Sequence, residues 1–466
     1  MKDIKIIDNI KISDKLDEYI LMGLEDGIKE KNNKKLDENV NDKKRKNPYK
    51  VAVLVAAISG ITITSAYAIE KIIDYFKYNK DSIYKYEENK LENHAQVINK
   101  SKKHDGVEFR LDTVAADDAY ITVNYTVLSN KNISEILNGY YKNPRRANPF
   151  VRLLRGEQEV FDGGAMETEA TFVSDNELKG IMRFRVGRYN IEDGTTLTLD
   201  TWDVFGIEKD WSIDFKLSKN STNKDSNKYN INKSKTIVSK GEYEGKTLEI
   251  KNKLTVENVA IAPLGNQITI TEEIYTPNAN YISSVGNNFA LFDEDNNYLE
   301  MVDNGFSSHD KPNQAITSSY EFLTTNKNIK SMTLVPIGYN DKQNYLLGLK
   351  DINKLPITFE VNEYSKIIVD KFEINEEKIM YSYKSEGIIP YKGDLILCDE
   401  NGEVIFLDDS FSKISVDRDN KRFDIVIDLE SNGDKEKAKK IKKVNLYSDS
   451  SLKLLYEDQI KFYLKK

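Results

Sequence analysis

Residues Val51–Ile69 read VAVLVAAISGITITSAYAI, a run of nineteen residues without a charge in a chain of which 31% is charged. A helix of this length extends roughly 28 Å at about 1.5 Å per residue, close to the ~30 Å hydrocarbon thickness of a bilayer. The run therefore predicts one transmembrane helix, 51–69. It divides the chain into a short charged segment and a long polar body.

The flanking charges predict the orientation of this helix. Five basic residues lie among the 15 before Val51, and three among the 15 after Ile69. Because basic residues are in excess on the cytoplasmic side, residues 1–50 are predicted to be inside the cell and the body outside. The alternative is a signal peptide cleaved at Ala66-Tyr67-Ala68. An uncleaved signal anchor is favoured, because signal peptides have short leading regions and apolar cores of about 7–15 residues.

The composition limits the function classes. The net charge is −8, with +2 in residues 1–50 and −10 in the remainder. An acidic body without a basic stripe argues against direct binding of nucleic acid. The single cysteine, Cys398, excludes an intrachain disulfide framework.

Signals for catalysis and for metal binding are poor. The three histidines, His94, His104 and His309, lie in polar contexts, and no phosphate loop or zinc-helix motif is present. Cys398 reads as a buried structural thiol rather than a nucleophile. The run DEDNN from Asp293 begins like a calcium loop, but it lacks the glycine at position six. We therefore expect no enzyme, no metal and no cofactor.

The cytoplasmic segment contains one amphipathic helix. Ser13 is a suitable N-cap, and the apolar period predicts a helix over 14–29. A helix this short is marginal alone, and little chain surrounds it to bury its apolar stripe. The stripe predicts a surface that docks on a cytoplasmic partner; a helix on the membrane surface or a frayed tail is the alternative. The stripe is formed by Leu16, Ile20, Leu24 and Ile28.

Small residues recur every four positions in the predicted span. They form one ridge on a helix face, as close helix packing in lipid requires, and predict self-association or contact with another membrane helix. The alternative is that small residues are simply common in membrane helices. The ridge consists of Ala52, Ala56, Gly60, Thr64 and Ala68.

The body changes to a period of two. Ile121, Val123, Tyr125 and Val127 alternate with polar residues, which predicts a half-buried strand. Residues 70–100 are predicted as a juxtamembrane segment with Tyr75, Phe76 and Tyr78 near the lipid headgroups.

Three units of the body share an order of elements, which predicts a mainly β fold of three tandem immunoglobulin-like β-sandwich domains. The domains are expected at 101–219, 245–363 and 364–466, with a polar linker at 220–244. The closing strands are expected at Trp211–Leu217, Leu355–Val361 and Gln459–Leu464.

Three pieces of the chain carry a family resemblance. They are SDKLDEYILMGLEDGIKE from Ser13, the basic-flanked span running into SAYA and then NHAQVINKSKKHDGVEFRLDTVAADDAYITVNYTV, and LTVENVAIAPLGNQITI from Leu254. Together they resemble single-pass membrane proteins of Gram-positive bacteria whose extracellular β-domains have unknown function and which are described as anti-sigma-factor-like. The resemblance covers roughly residues 10–360.

The resemblance implies a regulator whose cytoplasmic segment holds an extracytoplasmic-function sigma factor until an external event releases it. The chain lacks the His-x-x-x-Cys-x-x-Cys motif of zinc-type anti-sigma factors, so zinc is not implied. A membrane-anchored surface binding or adhesion protein is the alternative. Both hypotheses place the chain in the cell membrane, in contact with the lipid bilayer.

Overall fold

The chain is mainly β in the computed structural model, as the sequence predicts, with sheets that pack in pairs and helices that are short. The predicted cytoplasmic helix, 14–29, and residues 51–65 of the predicted span lie outside the described residues. The structure describes residues 66–137, 147–161, 166–243, 246–275, 289–302, 306–309, 315–324, 326–339, 344–389, 395–408 and 411–465.

Two helices, α1 (Ala66–Tyr78) and α2 (Glu88–His94), precede the first strand. The buried residues of α1 recur at helical spacing, so that Ala68, Ile72 and Tyr75 lie on one face against the first β-domain. Tyr75 and Phe76 are only 1% and 7% exposed within the protein, so their predicted position near the lipid headgroups is wrong. Among the described residues, no helix is both long and apolar enough to cross a bilayer.

The first domain is a sandwich of a five-stranded and a four-stranded sheet, with orders β1-β2-β3-β7-β6 and β11-β8-β4-β5. Phe109 and Phe184 from the larger sheet share a core with Leu199 and Phe215 from the smaller one. The elements are β1 (Ala95–His104), β2 (Val107–Ala116), β3 (Tyr120–Ser129), α3 (Ile133–Ile136), β4 (Arg152–Arg155), β5 (Gln158–Glu159), β6 (Met166–Ser174), β7 (Glu177–Arg185), β8 (Thr196–Asp200), β9 (Asp203–Val204), β10 (Ile207–Glu208) and β11 (Ile213–Lys216).

Strand β3 is buried on both faces, which differs from the half-buried strand that its alternation predicts. Val123 and Val127 enter the sandwich core, but Thr122 and Thr126 on the opposite face are also buried. The physical reason is that α1 and α2, with residues of the second domain, cover the outer face of the five-stranded sheet. This covered face is the site described below.

The second domain pairs a sheet of order β12-β13-β14-β18-β17 with one built around β15 and β19. Strand β12 occupies most of the predicted linker 220–244 and pairs with β13 along its length. Its Lys-rich sequence suits the exposed edge of a sheet, which explains why it reads as a linker. The strands are β12 (Asn227–Tyr243), β13 (Lys246–Ala262), β14 (Gly265–Ile274), β15 (Phe289–Phe292), β16 (Tyr298–Leu299), β17 (Phe306–His309), β18 (Ala315–Phe322) and β19 (Ser331–Tyr339).

The third domain pairs a sheet of order β21-β22-β23-β26-β25 with one of order β20-β27-β24. Its first strands precede the predicted boundary at residue 364. Its elements are β20 (Lys350–Asp351), β21 (Ile357–Asn362), β22 (Ser365–Ile374), β23 (Lys378–Gly387), β24 (Ile396–Cys398), β25 (Phe411–Asp417), β26 (Arg422–Asp428), α4 (Asn432–Ala438) and β27 (Lys443–Asn445).

The C-terminal strands return to the second domain. Strands β28 (Leu452–Leu454) and β29 (Ile460–Tyr463) both pair with β19, and Ile460 and Phe462 enter the core of the second domain. The third domain is therefore inserted between β19 and β28. The predicted closing strands are exchanged: Leu355–Val361 belongs to the third domain and Gln459–Leu464 to the second, because edge pairing follows spatial proximity rather than order in the sequence.

Candidate functional site

The outer face of the five-stranded sheet carries an unusual set of buried charges. Side chains along β6 and β7 alternate between the two faces of the sheet. Glu167 and Glu169 therefore lie on this face together with Lys179, Arg183 and Arg185. Glu167 stands directly across from Arg183 in the register. We name residues 66–94 the proximal segment. This segment and the other two domains pack against this face.

Six of the charged residues at this meeting point form one cluster, which we name the junction cluster. It contains three arginines and three glutamates, so its formal charges balance. The six residues come from the proximal segment and from all three domains. The members are Glu87, Glu167, Arg183, Arg185, Glu321 and Arg418.

Arg183 ties the first domain to the second. Its Nη1 donates to Glu321 Oε2 at 3.2 Å, and its Nη2 donates to the carbonyl oxygen of Leu264 at 2.7 Å. The guanidinium also stacks on the ring of Tyr120, 3.5 Å from the ring centroid, which is a cation–π contact in a buried site. The arrangement fixes the β13–β14 turn against the first domain.

Gly265 makes this close approach possible. Its φ is +153°, and a Cβ there would stand 2.6 Å from the Tyr120 ring and 2.7 Å from Arg183 Nη2. Any side chain would therefore push the turn away from the arginine. The LGN stretch in which it lies is part of the resemblance noted above, so the sequence does carry a signal for this contact.

Arg418 brings the third domain to the same carboxylate. Its Nε and Nη2 donate to Glu321 Oε1 and Oε2 at 2.6 and 3.0 Å, and its Nη1 donates to Glu87 of the proximal segment. Burial alone would raise the pKa of Glu321, but attraction to Arg183 and Arg418 outweighs it and holds that pKa well below its usual value. The carboxylate of Glu321 is thus shared by two arginines from different domains.

Arg185 completes the cluster. Its Nη2 donates to Glu167 Oε1 at 2.9 Å, and its Nη1 donates to the carbonyl oxygen of Ser319 at 3.4 Å. Burial would raise the pKa of Glu167, but the charges of Arg183 and Arg185 lower it. Glu167 is therefore held as a carboxylate between two arginines of the adjacent strand.

Glu169 holds the proximal segment on the first domain. Its Oε2 accepts hydrogen bonds from Tyr75 Oη at 2.9 Å, Ser82 Oγ at 2.6 Å and the backbone N–H of Ile83 at 3.1 Å. Its Oε1 lies 3.2 Å from Lys413 Nζ of the third domain. Burial, and then the charge of Glu169, raises the pKa of Tyr75. The tyrosine therefore stays a donor.

The third domain makes further contacts with the proximal segment. Lys85 and Tyr86 both donate to Asp424, and Lys378 pairs with Asp81. Ser415 Oγ donates to the carbonyl oxygen of Ser82 at 2.9 Å. The segment is therefore held from both sides, by the first domain and by the third.

Asp117 is a second buried contact between the first two domains. It accepts backbone N–H bonds from Ala119 and Tyr120 at 2.8 Å and from Leu264 at 2.6 Å. Burial raises its pKa to about 6, although the three N–H donors oppose the rise. This carboxylate titrates closer to neutral pH than an exposed aspartate.

Of the nine site residues expected from the sequence, only Ala68 falls among the described residues. Leu16, Ile20, Leu24 and Ile28 are outside the described residues, as are Ala52, Ala56, Gly60 and Thr64. Ala68 is fully buried in α1 against the protein rather than presented to another membrane helix. Among the described residues, no group of three or more His, Cys, Asp and Glu is placed to hold a metal ion.

Two family models match parts of the chain. Residues 43–129 match one described as "Domain of unknown function (DUF4179)", and residues 226–375 match one described as "Family of unknown function (DUF5643)". The first match runs from the basic flank of the predicted span to the end of β3, and the second begins beside β12. No curated protein matches the chain.

Two solved structures are similar to the chain. A conserved domain protein from Bacillus anthracis is 16% identical, with a TM-score of 0.34, and the match covers 56% of this chain and 82% of that one. The N-terminal eight Ig domains of Down Syndrome Cell Adhesion Molecule are 10% identical, with a TM-score of 0.14, and the match covers 79% of this chain and 47% of that one. At these scores neither similarity carries an argument.

Proposed function

We propose that this chain is a single-pass membrane regulator of the anti-sigma type. Residues 1–50 bind an extracytoplasmic-function sigma factor in the cytoplasm, the apolar run that begins at Val51 crosses the bilayer before α1, and the β-domains sense the exterior. The observation that carries the proposal is the set of hydrogen bonds and ion pairs that hold the proximal segment. Residues 66–94 are held by charged side chains of two different β-domains: Glu169 and Lys179 of the first, and Arg418 and Asp424 of the third.

These contacts are suited to an all-or-none response. Removing one partner from a buried set of ion pairs leaves an uncompensated charge, which costs about 3–5 kcal/mol. A partly open junction is therefore disfavoured relative to one that is fully closed or fully released. A ligand or protease that displaces the third domain would thus change the hold on the proximal segment in one step.

The first family match supports treating these parts as one unit. It spans the basic flank, the apolar run, the proximal segment and strands β1 to β3 without interruption. One family model therefore covers both the predicted span and the first three strands of the sheet that holds the proximal segment.

The topology is tested by protease added to intact, wall-stripped cells. The regulator hypothesis expects digestion of residues 101–466 and protection of residues 1–50. A soluble secreted product that begins near Ile69 would contradict it, because that product requires cleavage at Ala66-Tyr67-Ala68.

The partner surface is tested by Ile20→Asp combined with Leu24→Asp. Two charges in a buried apolar interface should weaken capture of the sigma factor by residues 1–50 at least about a hundredfold, since each buried Leu or Ile contributes about 1.5–3 kcal/mol. The double variant should derepress sigma-dependent promoters while it reaches the membrane in normal amounts.

The matched controls are Lys15→Ala and Glu25→Ala, which lie off the apolar stripe and should change little. If the promoters stay silent and residues 1–50 capture no sigma factor, the regulator hypothesis fails. The membrane-anchored surface binding or adhesion protein then takes its place.

A further inference from the structure

The smaller sheet of the first domain presents an exposed pair of aromatic rings. Phe150 precedes β4 and is 58% exposed, and Trp202 follows β8 and is 51% exposed. Strands β4 and β8 are neighbours, with Arg152 opposite Asp200. The two rings therefore stand at the same end of the sheet, with centroids 5.4 Å apart and planes at 52°.

Polar side chains continue from this pair across the outer face of the sheet. Arg152 Nε donates to Asp200 Oδ2 at 2.9 Å, and Ser212 Oγ donates to Asp200 Oδ1 at 2.7 Å. Glu159 lies 3.8 Å from the Arg152 guanidinium. These residues form a row of hydrogen-bonding groups beside the rings.

Two contacts restrain Trp202. The Arg152 guanidinium lies 5.6 Å from the centroid of the Trp202 ring, and the backbone N–H of Lys209 donates to the carbonyl oxygen of Trp202 at 3.0 Å. A binding surface that is already ordered loses less conformational entropy when a ligand arrives.

We infer that this surface, formed by Phe150, Trp202, Arg152, Asp200 and Ser212, binds a neutral pyranose oligosaccharide. A pyranose ring has apolar C–H faces and hydroxyl edges. It can therefore lie on an aromatic ring while its hydroxyls bond to arginine, carboxylate and serine groups. Two rings set at an angle suit two successive sugars that are turned relative to one another.

The charges favour a neutral ligand. The positive charge of Arg152 is offset by Asp200 and Glu159, so the surface does not call for an acidic ligand. A protein partner is disfavoured because a specific interface buries about 800 Å² on each side. Here two exposed aromatic rings are followed by a polar row rather than by further apolar surface.

The binding of a sugar does not depend on the proposed function. A role for that sugar as the external signal does rest on it. The test uses the full chain, purified in a detergent without a sugar headgroup, titrated with N-acetylglucosamine hexasaccharide and, separately, with cellohexaose. Calorimetry gives the affinity, and tryptophan emission locates the contact. The chain has two tryptophans, and Trp211 is fully buried, with Nε1 bonded to the carbonyl oxygen of Ile207 at 2.8 Å.

We expect saturable binding of at least one probe with a change in the emission of Trp202. Trp202→Ala and Phe150→Ala should each weaken it about tenfold, and Trp202→Phe less. Phe406→Ala, which removes a 75% exposed aromatic side chain from the third domain, should leave the affinity unchanged. Binding of the acetylated probe alone would assign an N-acetylated sugar, and binding of both would assign a general pyranose site.

Absence of saturable binding with both probes would overturn the inference. The inference would also fail if the Phe150→Ala, Trp202→Ala double variant bound the sugar as tightly as the natural chain while its unfolding midpoint was unchanged. It would fail as well if a protein, and not a sugar, competed for this surface. These failures are distinct from a failure of the proposed function, because capture of the sigma factor by residues 1–50 does not involve this surface.

Discussion

Glu321 is shared between two arginines that belong to different domains. Arg183 belongs to the first domain and Arg418 to the third, while Glu321 lies on β18 of the second. All three side chains are buried or nearly so. A single carboxylate thus pairs with cations from two other domains, and its removal should affect the junction more than the loss of a contact within one domain.

Glu321→Gln should therefore lower the unfolding free energy by about 3–5 kcal/mol, because it leaves two buried guanidinium groups without their shared carboxylate. Urea unfolding at neutral pH measures the loss. The matched control is Glu273→Gln, which breaks a partly exposed pair with Lys253 and should change little. A loss no greater than that of the control would show that the cluster does not stabilise the junction.

The lowered pKa of Glu321 also predicts a dependence on acid pH. The unfolded chain takes up a proton near pH 4.5, whereas the folded protein does not until a much lower pH. Its stabilising contribution is thus complete above about pH 4.5 and is lost as the pH falls toward the folded pKa. Glu321→Gln should flatten this part of the stability curve.

Asp117 has the opposite sign. Its pKa rises from 3.8 to about 6 on folding, so the folded protein binds the extra proton and becomes more stable as the pH falls from about 6 to about 3.8. The gain should be about 3 kcal/mol, at 1.36 kcal/mol per pKa unit. Asp117→Asn cannot titrate, so unfolding experiments across this range should show the gain in the natural chain and not in the variant. Parallel curves would contradict the assignment.

At the scale of elements, the proximal segment depends on Glu169 of β6. Tyr75, Ser82 and Ile83 all donate to one oxygen of this carboxylate. Hydrogen bonds to a charged group each contribute about 1.5–3 kcal/mol. Residues 66–94 are therefore held by a few strong contacts, whereas a β-strand is held by a continuous ladder.

Glu169→Ala should open the proximal segment while the sheets stay closed. Hydrogen exchange at the backbone N–H groups of Ser82 and Glu87 should become about a hundredfold faster, and exchange in β12 and β13 should stay the same. Thr171→Ala, two residues along the same strand face, is the control and should leave exchange unchanged. Equal acceleration in both variants would mean that Glu169 has no special role in the grip.

At the scale of the whole molecule, the second and third domains are interlocked. Deletion of residues 450–466 removes β28 and β29 and takes Ile460, Phe462 and Leu464 from the core of the second domain. The second domain should lose protection from hydrogen exchange and the third should keep it, because each buried apolar side chain contributes about 1.5–3 kcal/mol. If the third domain opens instead, the C-terminal strands belong to it, as their order in the sequence suggests.

Local patterns determined some of the strands of this protein, but not β12, whose polar sequence reads as a linker. The period of two in Ile121–Val127 predicts a strand because side chains alternate across a sheet, and the structure has β3 there. The spacing of Ala68, Ile72 and Tyr75 is equally visible in the sequence. The prediction that Tyr75 and Phe76 lie near the lipid headgroups was wrong, because an apolar side chain can be buried by protein as well as by lipid and the sequence does not say which.

Tertiary structure alone decided the junction and the path of the C-terminus. Arg183 and Glu321 are 138 residues apart, and Glu321 and Arg418 are 97 residues apart, so no spacing in the sequence connects them. The pairing of β29 with β19 depends on which strand edge is still unpaired beside it in the folded chain. Periodicity fixes the conformation of a segment over a few residues, whereas pairing between distant segments is fixed by burial and charge in the folded chain.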